Sequence, residues 1–113
     1  MTDHTLALHI AKIADDFKAE EIRVLDLRGL TSFTDFYVIC SGRSDRQVQA
    51  IADEIVTRLK KQDIRPVGME GHQAGQWILI DYNEVVVHIF HPEARQFYQI
   101  EKFWGDAPEV ANG

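Results

Sequence analysis

Two runs near the C-terminus constrain the fold more than anything else in the chain: Trp77-Ile78-Leu79-Ile80-Asp81 and Val85-Val86-Val87-His88-Ile89-Phe90. Both are rich in β-branched and aromatic residues, and only Tyr82-Asn83-Glu84 separates them. Strands joined by so short a connection form an antiparallel hairpin, because a parallel crossover needs a dozen or more residues. Side chains alternate along a strand, so Ile78 and Ile80 share one face, and Val85, Val87 and Ile89 share another. These aliphatic sets are expected against helices. The opposite parity reads Trp77, Leu79, Asp81 and Val86, His88, Phe90. A mixed aromatic, polar and acidic surface of that kind resembles a protein-binding patch. The alternative is that the last helix covers this face and leaves Trp77 at its rim; the pattern favours neither.

The rest of the chain supplies the partners such a hairpin needs. Leu6, Ile10, Ile13 and Phe17 recur at helical spacing and predict an amphipathic helix over 5–19. Ile22 to Leu27 reads as a short strand, Gly29 to Thr34 as a connection, and Asp35 to Ser41 as a second strand. Ser44 followed by Gln47 is a capping-box pattern. It opens a helix whose buried stripe is Val48, Ile51, Ile55 and Leu59, with Lys60 and Lys61 suiting the dipole of its last turn. Pro66 to Met69 fits an edge strand, because proline has no N–H to give a ladder. Gly71 to Gly75 is a loop. Pro92 stands at a first helical position, and a helix from Pro92 to Trp104 is expected to bury Phe97, Ile100 and Trp104 before Gly105 ends it. The order is α-β-β-α-β-β-β-α. The fold class is therefore α/β, a single mixed sheet of about five strands with flanking helices. One domain over 1–113 accounts for the whole chain, with residues 106–113 expected to form a flexible tail.

Charge and cysteine usage narrow the function classes. The net charge is -6 over 113 residues. Nucleic-acid affinity comes largely from Lys and Arg displacing counterions, so no direct nucleic-acid specificity is expected. Acidity suits a basic protein partner, and it also simply favours solubility. The single cysteine, Cys40, leaves no internal disulfide framework and no multi-cysteine zinc site. No stretch approaches the ~20 apolar residues of a membrane span, and the first residues show no secretory leader. A cytoplasmic location is the simplest expectation.

Three motifs invite chemistry. In Val38-Ile39-Cys40-Ser41-Gly42-Arg43-Ser44-Asp45 a strand meets a glycine turn and a helix start, a geometry that binds phosphate in many enzymes. Here there is one glycine and no Walker lysine, and Asp45 already complements the helix dipole, so a cap is the stronger reading. A strand-Gly-Ser-helix element also fits a nucleotidyltransferase, but such enzymes hold metal ions with two or three carboxylates on adjacent strands. No Asp-x-Asp strand follows the turn, so no catalytic residue, metal or cofactor is expected. A nucleotidyltransferase-like, nucleotide-binding enzyme stands as the alternative function. His88 and His91 lie three apart, which in a strand points them to opposite faces rather than to one ion. His91 more naturally opens the last helix. Cys40 reads as a small buried strand residue.

The run Gly68 to Ala107 resembles the signature of the ribosomal silencing factors, also called the Iojap-like family. The matching features are Glu70-Gly71, Trp77, Asp81-Tyr82, Val87-His88, Arg95, Tyr98, Glu101 and Trp104. Upstream, Leu25-Asp26, Thr34-Asp35, Gly42, Ser44 and Gln47-Val48 also match. The likeness covers about residues 5–107; Ile100 and Phe103 stand where leucines are expected. The resemblance implies a nucleotidyltransferase-like fold without catalytic carboxylates. It further implies a translation repressor that binds the large ribosomal subunit through its universal protein fourteen and sterically blocks small-subunit joining when nutrients are limiting. A homodimer off the ribosome is compatible with it. Joined to the parity argument, it makes Trp77 the expected aromatic anchor, with His88 and Tyr82 beside it. Glu70, Asp81 and Glu101 become the expected acidic partners for Lys or Arg.

Overall fold

A computed structural model describes residues 3–110. Its elements follow the expected order: α1 (Thr5–Asp16), β1 (Glu20–Asp26), β2 (Phe36–Ser41), α2 (Asp45–Lys60), β3 (Gly68–Glu70), β4 (Trp77–Asp81) and β5 (Val85–Phe90), then α3 (Pro92–Tyr98) and α4 (Ile100–Phe103). The strands form one open sheet ordered β1-β2-β5-β4-β3. Only β2 and β5 run parallel, and every other neighbouring pair is antiparallel. α1 and α2 lie on one face. α3 and α4 lie on the other, and the segment after them runs along the edge of β1.

The first helix stops at Asp16, three residues before the expected end. Lys18 turns left-handed at φ 66°, and the N–H groups of Lys18 and Ala19 close back on the carbonyls of Asp15 and Ala14 at 3.0 Å. That double closure is a Schellman stop, and Ala19 leads straight into β1. On α2 the expected stripe is fully buried: Val48, Ile51, Ile55 and Leu59, with Ala52 beside them. The hairpin forms as read, with Ile78 paired to Ile89 and Ile80 to Val87. Asn83 supplies the left-handed residue of its turn at φ 73°. β3 sits on the edge, as expected, although Pro66 falls just before it rather than within it. It is formed by Gly68–Glu70, about two residues later than expected.

Two expectations are corrected. The last helix is not continuous: Gln99 adopts φ 48° and divides it into α3 and α4. The break resets the helical phase, so Phe97 is 79% exposed, while Ile100 and Trp104 still pack inward. The residues after Gly105 do not simply fray. Pro108 accepts the Asp26 N–H at 2.8 Å, Val110 donates to Val24 at 2.8 Å, and Glu109 pairs with Arg23 at 2.9 Å. The free edge of β1 would otherwise leave N–H and C=O groups unpaired, and this short segment satisfies part of it. Residues 111–113 of the expected tail lie outside the described ones.

Two cores result. Against α1 and α2 pack Val24, Phe36, Val38, Cys40, Ile78, Ile80, Tyr82, Val85, Val87 and Ile89. Against α3 and α4 pack Leu25, Leu27, Ile39, Phe90 and Ala94, ringed by partly buried Tyr37, Trp77, Ile100, Trp104 and Ala107. No helix among the described residues is long and apolar enough to cross a membrane.

Candidate protein-binding face

The second face of the sheet is covered only in part, and its geometry follows from how α3 and α4 are held. Arg95 is buried. Its Nε and Nη2 donate to the two carboxylate oxygens of Glu101 at 2.6 and 3.0 Å, and its Nη1 donates to Ser41 Oγ at 2.8 Å. Arg23 reaches the same carboxylate at 2.7 Å. A two-pronged guanidinium–carboxylate pair fixes orientation as well as distance, and here it clamps α3 to α4 across the break at Gln99. The Arg95 guanidinium, then burial opposing it and Arg23 assisting, leaves the Glu101 carboxyl below the usual carboxylate range. Glu101 is thus engaged within the chain, which corrects its expected role as a carboxylate offered to a partner.

Under that cover lies His88. The parity argument placed it on the correct face, but the face is roofed there, and His88 is 3% exposed. Its Nδ1 accepts the Trp77 indole N–H at 3.0 Å, so the ring proton sits on Nε2 in the neutral form. Burial depresses its pKa to about 4. The Nε2 atom finds no hydrogen-bond partner among the described residues. The Tyr37 ring meets the imidazole edge-on at 4.4 Å. A residue so enclosed does not touch a docking protein.

Tyr82 is also corrected. It is 6% exposed and belongs to the opposite core, against α1 and α2. Strand parity continued through Ile78, Ile80 and Tyr82 would have placed it there. Burial pushes its hydroxyl up to about 12. Asp81 is half-buried and serves its own turn, accepting the Asn83 N–H at 2.7 Å. Glu70 is exposed and pairs across the ladder with Leu79, beside Gly71 and Trp77. Gly71 is required at that point: its φ is +83°, and a Cβ there would lie 2.1 Å from the Trp77 carbonyl oxygen.

Trp77 is the hinge between covered and open surface. It stacks on Phe90 at 5.0 Å and contacts Tyr98 at 4.8 Å. Tyr98 in turn meets Phe97 at 5.0 Å, edge to face. Phe97 is 79% exposed, Tyr98 53% and, across the break, Phe103 80%. Phe97 and Tyr98 turn outward on α3 beside Trp77 and form an exposed aromatic ridge, and Phe103 turns outward separately on α4; the sequence reading missed this exposure. The signal was present in Phe97-Tyr98 and Phe103-Trp104. Adjacent helical residues point about 100° apart, so a narrow buried stripe cannot hold both members of each pair.

The turn at Gly42 to Ser44 is a cap, as read. Ser44 Oγ accepts the Gln47 N–H at 3.1 Å, and Gln47 Oε1 returns to accept the Arg43 N–H at 2.7 Å. The loop after β3 then closes over the helix start. Gly75, at φ +69°, comes so near Asp45 that a Cβ would lie 2.8 Å from it. Gln49 donates to the carbonyls of His72 and Gln73 at 2.9 and 3.0 Å. His91 caps α3 by accepting the Glu93 N–H. Burial pushes the Cys40 thiol up to about 12. Among the described residues no group of three or more His, Cys, Asp or Glu side chains is placed to hold a metal ion.

The chain as a whole is similar to known proteins. The profile of a family described as "Ribosomal silencing factor during starvation" matches residues 1–112. A ribosomal silencing factor from Halalkalibacterium halodurans is 42% identical over 97% of this chain and 94% of its own length. A mouse protein named for mitochondrial assembly of the ribosomal large subunit is 34% identical over 76% of this chain and 39% of its own. Among solved structures, the crystal structure of protein CV0518 from Chromobacterium violaceum superposes with a TM-score of 0.88 at 36% identity, covering 93% of this chain and 88% of that one.

Proposed function

Because the chain belongs to the ribosomal silencing factor family, whose place is in translation regulation, we propose that it represses translation by docking on the large ribosomal subunit through universal protein fourteen and keeping the small subunit away. The observation that carries this is the ridge of Phe97 and Tyr98 beside Trp77, with Phe103 exposed across the break at Gln99. Monomeric soluble proteins rarely leave large apolar groups clustered in the open without a partner for them. Aromatic side chains set in a polar rim are also the residues that dominate protein interfaces. The large subunit is favoured by the name of the mouse relative. A protein partner is favoured over bare RNA by the net charge of -6. Glu70 supplies an exposed carboxylate next to Trp77 for a basic partner residue.

Blocking needs no chemistry. A domain seated on the joining surface has only to overlap the volume of the incoming subunit, and a standard interface of about 1,600 Å² is sufficient for specific binding. The function is thus a cytoplasmic, non-enzymatic one, and the residues proposed for it are Phe97, Tyr98, Phe103, Trp77 and Glu70.

The test is sedimentation with separated ribosomal subunits. The wild-type chain should travel with the large subunit, less so as salt screens the rim charges. Phe97→Ala combined with Phe103→Ala should lower affinity about 30-fold or more, the consequence of losing at least ~2 kcal/mol at interface anchors. Equal sedimentation with the small subunit or with protein-free ribosomal RNA would overturn the reading, as would a double variant that binds unchanged.

A further inference from the structure

Resting on that docking face, we propose that His88 is the positioning residue that holds Trp77 in its docking orientation, by accepting the indole N–H across the β4–β5 hairpin. The two residues are diagonal neighbours on one face, since Leu79 is the direct partner of His88 and Phe90 that of Trp77. Diagonal pairs lie within reach of long aromatic side chains. The contacts on Trp77 divide its freedom between them. Phe90 lies nearly parallel to the indole, at 26° and 5.0 Å, and Tyr98 crosses it at 46° and 4.8 Å. Two ring contacts restrain where the indole plane lies but do not choose which edge of the ring points inward. The hydrogen bond at 3.0 Å does choose.

The burial of His88 is otherwise hard to rationalise. A buried polar group normally satisfies its hydrogen bonds, and a half-satisfied one is worse placed than an apolar residue of the same size. His88 is enclosed by Tyr37 and Trp77, and among the described residues its Nε2 is unpartnered and its one side-chain hydrogen bond is that to Trp77. A leucine would fill that site without an orphaned donor. What leucine lacks is the acceptor facing the indole. The orientation matters beyond Trp77, because Tyr98 packs on the indole and Phe97 on Tyr98. A flipped indole would therefore disturb the inner end of the exposed ridge.

Four proteins separate this from a merely structural role: His88→Leu, which removes the acceptor; His88→Asn, whose amide oxygen takes the place of Nδ1; Trp77→Phe, which removes the donor but keeps a ring; and the His88→Leu, Trp77→Phe double variant. The readouts are the Trp77 indole ¹H–¹⁵N resonance, assigned by its disappearance in Trp77→Phe with Trp104 as internal reference, the melting temperature, and affinity for the large subunit. The expected result is that His88→Leu shifts the Trp77 resonance and weakens binding about tenfold without lowering the melting temperature, and that His88→Asn restores both. The double variant should bind no worse than Trp77→Phe, because one hydrogen bond is removed either way. An unmoved resonance in His88→Leu, or wild-type binding despite a moved one, overturns the proposal. Should His88→Leu fail to fold, Trp77→Phe and His88→Asn decide it: wild-type affinity in the first, or an indole released in the second, is fatal. If the wild-type chain does not bind the large subunit, the docking reading fails. The proposal then fails with it as regards docking, while the resonance still reports whether His88 sets the indole.

Discussion

The two faces of the sheet are built on different principles. The face under α1 and α2 is mainly aliphatic, with Phe36 and Tyr82 its buried aromatic members, and closed: Ile10, Ile51, Ile55, Ile78, Ile80, Val87 and Ile89 are all at 0% exposure, and no ion pair among the described residues enters it. The face under α3 and α4 is aromatic and mixed. It carries His88, Ser41 and the Arg95–Glu101 pair in its interior, and its cover is a helix broken at Gln99. Aliphatic packing resists any loss of volume but offers nothing to a partner. Aromatic packing with buried hydrogen bonds fixes orientation and leaves rings at the border for recognition. One face therefore carries the stability of the domain, while the other presents a surface.

The sharpest way to break this contrast is to remove volume from the closed face. Ile80→Ala leaves a cavity where β4 meets the helices, and should cost about 2–5 kcal/mol in urea unfolding. A loss below ~1 kcal/mol would mean that the closed face is not the one holding the domain together. Trp77→Ala is a less clean counterpart than parity alone implies. Its indole stacks on Phe90, so truncation removes packing as well as any docking contact.

A second test uses protons. His88 has a folded-state pKa of about 4 against an ordinary 6.5. Between those values the unfolded chain binds the proton and the folded chain does not. The folded state is therefore fully stable above about pH 6.5 and loses stability as pH falls toward 4, by about 3 kcal/mol at most. Glu101 acts in the same direction for the opposite chemical reason. Its carboxylate is favoured by Arg95 and Arg23, so its contribution is present above the unfolded value and is lost as pH falls through the folded one. Both groups sit on the mixed face. Amide exchange at pH 5 should accordingly rise around β5, α3 and α4 before it rises in α2. His88→Leu should flatten the decline between pH 6.5 and 4, and an unchanged pH profile in that variant would refute the assignment.

The same contrast explains what was legible in the sequence. The closed face was read almost residue by residue, because aliphatic periodicity maps directly onto burial in strands and in α2. The mixed face was read for parity but not for cover. His88 lies on the side predicted for it, yet beneath a roof, because period two gives the direction of a side chain and not what lies above it. Tyr82 was placed at the surface although its parity follows Ile80. The ridge was missed because Gln99 carries no mark of a helix break. It has neither the permissiveness of glycine nor the fixed geometry of proline, and the Arg95–Glu101 clamp that spans its left-handed conformation forms only on folding. The tail was likewise unreadable, since its pairing with β1 is set by a free sheet edge rather than by anything in residues 106–110.

The smallest expected effect is the most pointed. Phe103 is 80% exposed, and among the described residues its one ring contact is with Trp104 at 5.1 Å. Replacing it with serine removes apolar surface that is already in water, so stability should stay within about 0.5 kcal/mol and the melting temperature within a few degrees. Helix propensity alters little, because serine and phenylalanine rank close together. On the closed face a side chain of that size could not be removed so quietly. If Phe103→Ser nonetheless weakens large-subunit binding, the exposed aromatic is kept for a partner and not for the fold. If it instead destabilises the domain by 2 kcal/mol or more, Phe103 packs against something within the chain, and the division between a face that holds and a face that presents would have to be withdrawn.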